Sequence, residues 1–212
     1  MFITLEGIEG SGKTTQIGRL VAFLEDRGIE CVTTRQPGGT RIGENIRSIL
    51  LDPANSALAP MTELLLYMAD RSQHIDELIR PCLQAGKTVI CDRYYDATMV
   101  YQGFARGLDI ELIRQLHQIL FDDLKPDVTL LLDLAPQVGL ARAWRQLNNG
   151  QRSGLESRFE AETVAFHEKV RAGYLELARL EPGRFRIVDA GQSQDQVFNA
   201  ISTVVSSILE QS

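Results

Sequence analysis

The chain has 212 residues, of which 24% are charged and 44% are hydrophobic, and its formal net charge is −6. This balance indicates a soluble globular protein, and the length suits one α/β domain with a full core. The acidic balance argues against a broad surface for nucleic acid or anionic membranes, because such surfaces need a basic footprint. No apolar run approaches the ~18 residues that a membrane helix needs.

Strand-like apolar runs alternate with helical patterns along the whole chain. Strands are predicted at 2–5, 31–34, 88–91, 128–132 and 185–188. Helices are predicted at about 13–27, 41–51, 60–85, 109–123, 136–147, 157–180 and 193–210. Pro81 should bend or end the third helix. This alternation predicts a mostly parallel sheet covered on both faces, with binding residues at the carboxyl ends of the strands.

The cysteines and the first residues bear on the cellular setting. Cys31, Cys82 and Cys91 are an odd number without metal-ligand spacing. Because the N-terminus begins directly with a strand, we expect no cleavable signal peptide. A reducing cytoplasm is the setting that these features predict.

A glycine-rich loop joins the first strand to the first helix. Residues 7–14 have the sequence GIEGSGKT and fit the pattern G-x-x-x-x-G-K-[ST] in its required strand–loop–helix context. Glycines let the backbone turn its N–H groups toward an anion, and the helix N-terminus adds its positive dipole end. Lys13 can reach the β- and γ-phosphates, and the Thr14 hydroxyl can ligate Mg²⁺. The loop therefore predicts a nucleoside triphosphate held by Gly7, Ile8, Glu9, Gly10, Ser11, Gly12, Lys13 and Thr14.

The strand predicted at 88–91 is followed by Asp92 and Arg93. A carboxylate at this end of a strand beside the phosphate loop can hold Mg²⁺ or its waters, and the adjacent arginine can grip a phosphate. An ordinary surface ion pair is the alternative interpretation. Asp133 follows another strand, but it precedes an apparent helix start, and we interpret it as structural.

Further arginines collect where phosphates would lie. Arg35 follows the second strand and Arg71 lies in the third helix. A transferring phosphoryl group spreads charge over several oxygens, so catalysis relies on positioning and charge neutralisation. A polar, glycine-rich stretch at about 146–157 predicts a small mobile lid. The arginines around it are Arg142, Arg145, Arg152 and Arg158, and a solvated helix face is the alternative for any one of them.

Aromatic and polar side chains near these arginines suggest a base-binding pocket. Tyr67 precedes Arg71 by four residues, so both occupy one helix face. A second cluster follows Arg93 and contains Tyr94, Tyr95, Thr98, Tyr101 and Gln102. Packing in the core is the alternative for aromatic residues at helical spacing.

The chain resembles the thymidylate kinases over nearly its whole length. Four segments carry the resemblance: LEGIEGSGKTT at 5–15, TRQPGGT at 34–40, DRY at 92–94 and ATMVYQG at 97–103. It implies one nucleoside monophosphate kinase domain over 1–212, with the three-layer sandwich of P-loop NTPases and a five-stranded parallel sheet. It also implies transfer of the ATP γ-phosphate to dTMP in dTTP biosynthesis, with Mg²⁺, by a homodimer.

The resemblance assigns roles to the acceptor side of this site. Glu9 matches the carboxylate that contacts the sugar 3′-hydroxyl, and Tyr67 stands where the family usually has a phenylalanine that stacks on thymine. Arg71 matches the arginine at the base edge. Tyr101 matches the tyrosine that crowds the sugar 2′ position. The remaining acceptor residues are Arg35 and Arg93 near the phosphate, and Thr98 and Gln102 on the base side.

Two departures from the family pattern are Gln36, where glutamate is common, and Ser157, where aspartate is common. The lid is also longer than usual. Since the phosphate loop contains no arginine at positions 8–11, the resemblance implies that lid arginines supply catalytic charge. We expect Arg158 first and Arg152 second in this role, beside Lys13, Arg93 and Glu9.

Two other functions are compatible with a phosphate-binding loop. One is a kinase for another monophosphate or for a nucleoside. The other is a nucleotide-dependent switch or partner-binding ATPase, although the chain has no Asn-Lys-x-Asp motif for guanine. The three histidines, His74, His117 and His167, lie in helical patterns and form no recognisable metal or catalytic set.

Overall fold

The computed structural model describes residues 1–149 and 157–210. Its centre is a five-stranded parallel sheet in the order β2-β3-β1-β4-β5, with helices around it. The strands are β1 (Phe2–Glu6), β2 (Cys31–Arg35), β3 (Thr88–Asp92), β4 (Val128–Asp133) and β5 (Phe185–Asp189). The predicted fold class is confirmed.

The helices fill the intervals between the strands. They are α1 (Lys13–Glu25), α2 (Arg41–Leu51), α3 (Pro60–His74), α4 (Arg80–Gln84), α5 (Tyr95–Thr98), α6 (Ile110–Phe121), α7 (Pro136–Asn148), α8 (Val164–Leu180) and α9 (Gln194–Leu209). A 3₁₀ turn covers Pro53–Asn55, and π-helical segments cover Ile75–Ile79 and Met99–Ala105. Among the described residues, none of the helices has the length and apolar character needed to span a bilayer.

Each strand extends one residue past its predicted end. The extra residues are polar or charged: Glu6, Arg35, Asp92, Asp133 and Asp189. The apolar pattern stops before them, but the ladder continues, as in the pairing of Leu5 with Asp92 and of Asp133 with Asp189. These five charged residues therefore lie together at the carboxyl ends of the strands.

Two predictions about helices differ from the structure. The segment 95–105 is helical, although no helix was predicted there. Residues 157–163 form turns instead of the start of a helix, and α8 begins after Thr163, whose side chain accepts a hydrogen bond from the Phe166 N–H. The helix predicted at 60–85 is present as α3, the π-helical segment Ile75–Ile79 and α4, which follow one another directly, and Pro81 lies in the first turn of α4.

Candidate active site

The loop between β1 and α1 has the backbone of a phosphate-binding loop. Gly7, Gly10 and Gly12 have φ angles of 137°, 71° and 95°, a region that side chains with a Cβ rarely adopt. A Cβ on Gly7 would lie 2.5 Å from the Leu132 carbonyl oxygen. The glycines thus allow both the turn and the close approach to β4.

The Lys13 ammonium lies inside this loop and is buried. Its Nζ donates to the carbonyl oxygens of Gly7 and Ile8, both at 3.0 Å. Burial, and then the positive charge of Arg93, lower the pKa of Lys13 from 10.5 to about 8. The ammonium is therefore held in place where an anion in the loop would meet it.

Asp92, at the end of β3, has a buried Oδ1 atom with no hydrogen-bond partner among the described residues. It lies in the same cleft as Thr14 and Lys13. Mg²⁺ prefers oxygen ligands and commonly uses one or two protein groups together with phosphates and waters. The Asp92 carboxylate and the Thr14 hydroxyl therefore fit a magnesium ion carried by a nucleotide.

Glu9 is a buried acid in the middle of the anion-binding loop. Its Oε1 accepts hydrogen bonds from Arg93 Nη2 at 2.8 Å and from the Tyr101 hydroxyl at 2.7 Å. Its Oε2 lies 3.1 Å from Nδ1 of His167. Burial alone would raise the pKa of Glu9, but the charges of Arg93, His167 and Lys13 hold it well below its usual range. Glu9 is therefore an ionised carboxylate with two hydrogen-bond donors at Oε1 and the His167 ring at ion-pair distance from Oε2.

Arg93 is held in a strained backbone conformation beside this acid. Its φ is 65°, which is uncommon for a residue with a long side chain. The same Nη2 that contacts Glu9 also donates to the Gly7 carbonyl at 3.0 Å and to the Tyr101 hydroxyl at 2.9 Å. These contacts place a permanent positive charge at the edge of the loop.

Two neighbouring cavities meet at these residues. The first, here the base-side cavity, is lined by aromatic and polar groups: Glu9, Gln36, Pro37, Arg47, Leu51, Tyr67, Arg93, Tyr94, Ala97, Thr98, Tyr101, Gln102, Phe159 and Glu160. The second, here the phosphate-side cavity, is lined by the loop and its cations: Glu9, Gly10, Gly12, Lys13, Thr14, Thr15, Arg35, Gln36, Arg47, Asp92, Arg93 and Gln146. Glu9, Gln36, Arg47 and Arg93 line both.

Arg71 is fully buried and lies behind the base-side cavity instead of lining it. Its Nε donates to Gln36 Oε1 at 2.8 Å, and its Nη2 donates to Thr98 Oγ1 at 2.6 Å. Gln36 Nε2 in turn lies 3.5 Å from Nδ1 of His74. Burial and the Arg71 charge lower the pKa of His74 to about 4, so this ring is neutral and can accept from the amide. Gln36 therefore accepts a hydrogen bond from Arg71 through its oxygen and donates to the neutral His74 ring through its amide nitrogen.

Of the described arginines near the predicted lid, Arg142 and Arg158 do not contact the phosphate loop and have other partners. Arg158 is buried, and its Nη2 donates to Glu63 Oε2 at 2.6 Å. Arg142 donates to the Ala190 carbonyl at 3.2 Å, and Arg152 and most of the lid lie outside the described residues. The structural interpretation of Asp133 is confirmed, since its two oxygens accept from Arg171 at 2.7 and 2.8 Å.

The sequence reasoning missed two residues of this site. Arg47, on α2, lines both cavities, and its Nη1 donates to the Pro37 carbonyl at 2.8 Å. His167, on α8, is distant from Glu9 in the sequence but lies next to it in the fold. Arg47 could have been found from its position on the helix that follows the 34–40 loop. His167 gave no such signal, because only the tertiary fold brings α8 to the loop.

Comparison with known proteins gives one consistent result. The sequence profile of a family described as "Thymidylate kinase" matches residues 5–201. A thymidylate kinase of Desulfosudis oleivorans is 60% identical over 190 residues, which are 90% of this chain and 89% of that protein. One from Desulforapulum autotrophicum is 59% identical over 201 residues, 95% of this chain and 88% of that protein.

A solved structure agrees with the sequence comparisons. The crystal structure of a thymidylate kinase from Ehrlichia chaffeensis superimposes with a TM-score of 0.76. The match covers 97% of this chain and 98% of the other, at 33% sequence identity. The likeness therefore extends over nearly the whole length of both chains.

Proposed function

The chain belongs to the thymidylate kinase family, and we propose that it transfers the γ-phosphate of ATP to dTMP, giving dTDP and ADP. Such an enzyme is a nucleoside monophosphate kinase that serves nucleotide biosynthesis. The profile match over 5–201 supports a single kinase domain across 1–212. Three free thiols, at Cys31, Cys82 and Cys91, suit a reducing cytoplasm.

One observation carries the assignment of the two substrates. The base-side and phosphate-side cavities are separate clefts that share Glu9 and Arg93. A phosphoryl transfer needs the attacking and leaving oxygens roughly in line with the transferring phosphorus, and positive charge around the oxygens of the transferring group. ATP in the phosphate-side cavity and dTMP in the base-side cavity would bring the γ-phosphate and the acceptor phosphate together at these shared residues.

The chemistry follows from the charges at that junction. Lys13 and Arg93 neutralise the oxygens of the transferring group, and Arg35 and Arg47 offer further positive charge from the phosphate-side cavity. Mg²⁺ held by Asp92 and Thr14 would neutralise the β- and γ-phosphate oxygens. Glu9 accepts a hydrogen bond from the acceptor's sugar hydroxyl, which fixes the acceptor relative to the loop. Little general-base catalysis is needed, since positioning and electrostatics lower the barrier.

The base of the acceptor lies against Tyr67 in this proposal. Thr98 and Gln102 line the same cavity, and Tyr101 faces the sugar beside Glu9. Arg71 supports Gln36 and Thr98 from behind, and both of these residues line the cavity. This arrangement suits thymine.

Catalytic roles for Arg152 and Arg158 remain part of the proposal. For Arg158 the role requires that its guanidinium exchange Glu63 for a phosphate. An ion pair buried to this degree is costly to open unless an equally strong anion replaces the partner. A triphosphate is an anion of that strength.

We also propose a homodimer formed through α3 and α6. These helices pack side by side and leave Leu65, Ile119 and Leu120 on the outside, with Ile119 76% exposed. Exposed apolar residues grouped on adjacent helices are typical of an interface between subunits.

A coupled assay of ADP release tests the function. With ATP and Mg²⁺, the enzyme should turn over dTMP, and turn over dUMP more slowly because one lost methyl group weakens binding by about 1–3 kcal/mol. It should leave dCMP and dGMP unphosphorylated. Equal rates with dCMP or dGMP would favour a broader monophosphate kinase, and ADP release without any acceptor would favour an ATPase.

A further inference from the structure

The His167 ring makes two polar contacts, although it is completely buried. Its Nε2 lies 3.0 Å from the carbonyl oxygen of Phe159, so this nitrogen carries a hydrogen and donates it. Its Nδ1 lies 3.1 Å from Oε2 of Glu9. The ring therefore bridges the phosphate loop and the backbone of a residue that lines the base-side cavity.

These contacts fix the charge of the ring. If Nε2 is protonated and the ring is neutral, Nδ1 presents a lone pair to a carboxylate oxygen, which is repulsive. The carboxylate does not carry the missing proton, because its other oxygen accepts from Arg93 and Tyr101, and both contacts favour the ionised acid. A proton on Nδ1 removes this repulsion, and the ring is then an imidazolium at ion-pair distance from the carboxylate.

We propose that His167 is a positioning residue for phosphoryl transfer: a buried imidazolium that holds the Glu9 carboxylate toward the acceptor and ties it to Phe159. The role rests on the proposed function for what Glu9 contacts, but the ion pair itself does not. Arg93 and Tyr101 hold only Oε1, so His167 is the group that fixes the rotation of the carboxylate.

The electrostatic surroundings agree with this charge. Burial disfavours an imidazolium, but the close contact with the charged Glu9 carboxylate, the Phe159 carbonyl and the charge of Glu160 raise the pKa of His167 above 6.5. Glu160 lies in the segment before α8, while Glu9 comes from the loop. Arg93 and Tyr101 reach the same acid from the other side.

The arrangement also solves an electrostatic problem of the loop. A carboxylate among the N–H groups that bind a triphosphate weakens the attraction for that anion. Two cations, Arg93 and His167, contact this carboxylate directly. The loop therefore keeps its positive potential while Glu9 keeps the charge that orients the acceptor.

The chain contains three histidines, so their ring nitrogens can be observed individually by NMR of ¹⁵N-histidine protein. Burial lowers the pKa of His74 to about 4 and of His117 to about 3, so both rings should be neutral at pH 7. We expect one doubly protonated ring, assigned to His167 by its loss in H167Q. The His167 ring should become neutral in the E9Q variant. A neutral His167 in the wild-type protein, or a charge that survives E9Q, would overturn the proposal.

Kinetics test the positioning role. Removing one partner of a buried ion pair leaves the other charge uncompensated, and we expect a loss of about 10- to 100-fold in kcat of His167→Gln, with little change in the KM for ATP. The matched control is His117→Gln, because His117 is equally buried and its Nε2 also meets a carbonyl, that of Leu124, at 3.0 Å. The control should keep the wild-type kcat.

The double variant separates a positioning role from a structural one. If His167 acts through Glu9, then H167Q should cost almost nothing further in an E9Q background. Additive losses, or an unchanged kcat in H167Q alone, would overturn the proposal. Failure of the proposed function is distinguishable, since the wild-type enzyme would then not phosphorylate dTMP while the NMR result would stand.

Discussion

At the scale of single residues, the site depends on charges that the fold compensates in pairs. Glu9 is matched by Arg93 and His167, and Glu63 is matched by Arg158. The sequence could predict Glu9 and Arg93, because each stands in a recognisable segment. It could not predict that Arg158 is bound to Glu63, since 95 positions separate them and nothing local signals the pair.

Tyr67 offers a direct test of the base-side cavity. We expect Tyr67→Ala to raise the KM for dTMP about 5- to 150-fold, because stacking of a base on an aromatic ring contributes about 1–3 kcal/mol. Tyr67→Phe keeps the ring and is the matched control, so its KM should stay close to the wild-type value. Steady-state kinetics with varied dTMP measure both. Equal effects of the two substitutions would show that the hydroxyl, not the ring, holds the acceptor.

Glu6 predicts a pH dependence of stability. Burial and the charge of Asp96 raise its pKa from 4.5 to about 7. Between these values the unfolded chain loses the proton that the folded protein keeps, so the free energy of unfolding falls as the pH rises through this window. A difference of this size corresponds to about 3 kcal/mol.

Glu6→Gln should remove that dependence. The amide keeps an acceptor for the Tyr94 N–H, which donates to Glu6 at 2.8 Å, but it does not ionise. Urea unfolding at pH 4.5 and pH 8 should show the variant gaining stability relative to wild type at the higher pH. The same difference at both pH values would contradict the raised pKa.

At the scale of elements, the pattern of apolar residues predicted all five strands and missed one helix. The strands were found because buried parallel strands are continuous apolar runs. No helix was predicted over 95–105 because its aromatic and polar residues were interpreted as a base-binding cluster, and Tyr101 and Gln102 do line the base-side cavity. Residues that line a cavity give a weak local signal for a helix, and at this segment the tertiary contacts stabilise the helical conformation.

The close packing of the phosphate loop against α7 gives an element-scale prediction. A Cβ on Gly139 would lie 2.4 Å from the Glu9 carbonyl oxygen and 2.7 Å from Ile8 Cδ1. Gly139→Ala should therefore displace the loop, raise the KM for ATP and cost about 1–3 kcal/mol of stability.

The control for this packing is Gly18→Ala, in the middle of α1. A Cβ there meets nothing within 4 Å. This substitution should stabilise the protein by about 0.5–1 kcal/mol, because alanine favours the helix and restricts the unfolded chain. Denaturant unfolding and ATP kinetics would show the contrast, and an unperturbed Gly139→Ala enzyme would contradict the close contact.

At the scale of the whole molecule, α3 and α6 carry exposed apolar residues that form the proposed dimer surface, whereas the candidate site lies among charged groups at the carboxyl ends of the strands. The composition predicted a compact α/β domain but could not locate this surface. Leu65 and Ile119 are far apart in sequence, and only the packing of α3 on α6 groups them.

Ile119→Glu should convert the proposed dimer to a monomer, because it places a charge in the apolar contact. Ile187→Glu is the matched control: Ile187 is also apolar and 55% exposed, but it lies on β5, away from α3 and α6. Sedimentation velocity should show a halved mass for the first variant alone. A monomeric wild-type protein would contradict the proposed interface.

The two-substrate site is tested most directly by a crystal structure with dTMP and a non-hydrolysable ATP analogue. We predict thymine against Tyr67, the sugar hydroxyl within hydrogen-bonding distance of Glu9, and the triphosphate around Lys13. The two nucleotides should meet at Arg93. A dTMP molecule bound outside the base-side cavity, or a Glu9 carboxylate turned away from the sugar, would contradict the account.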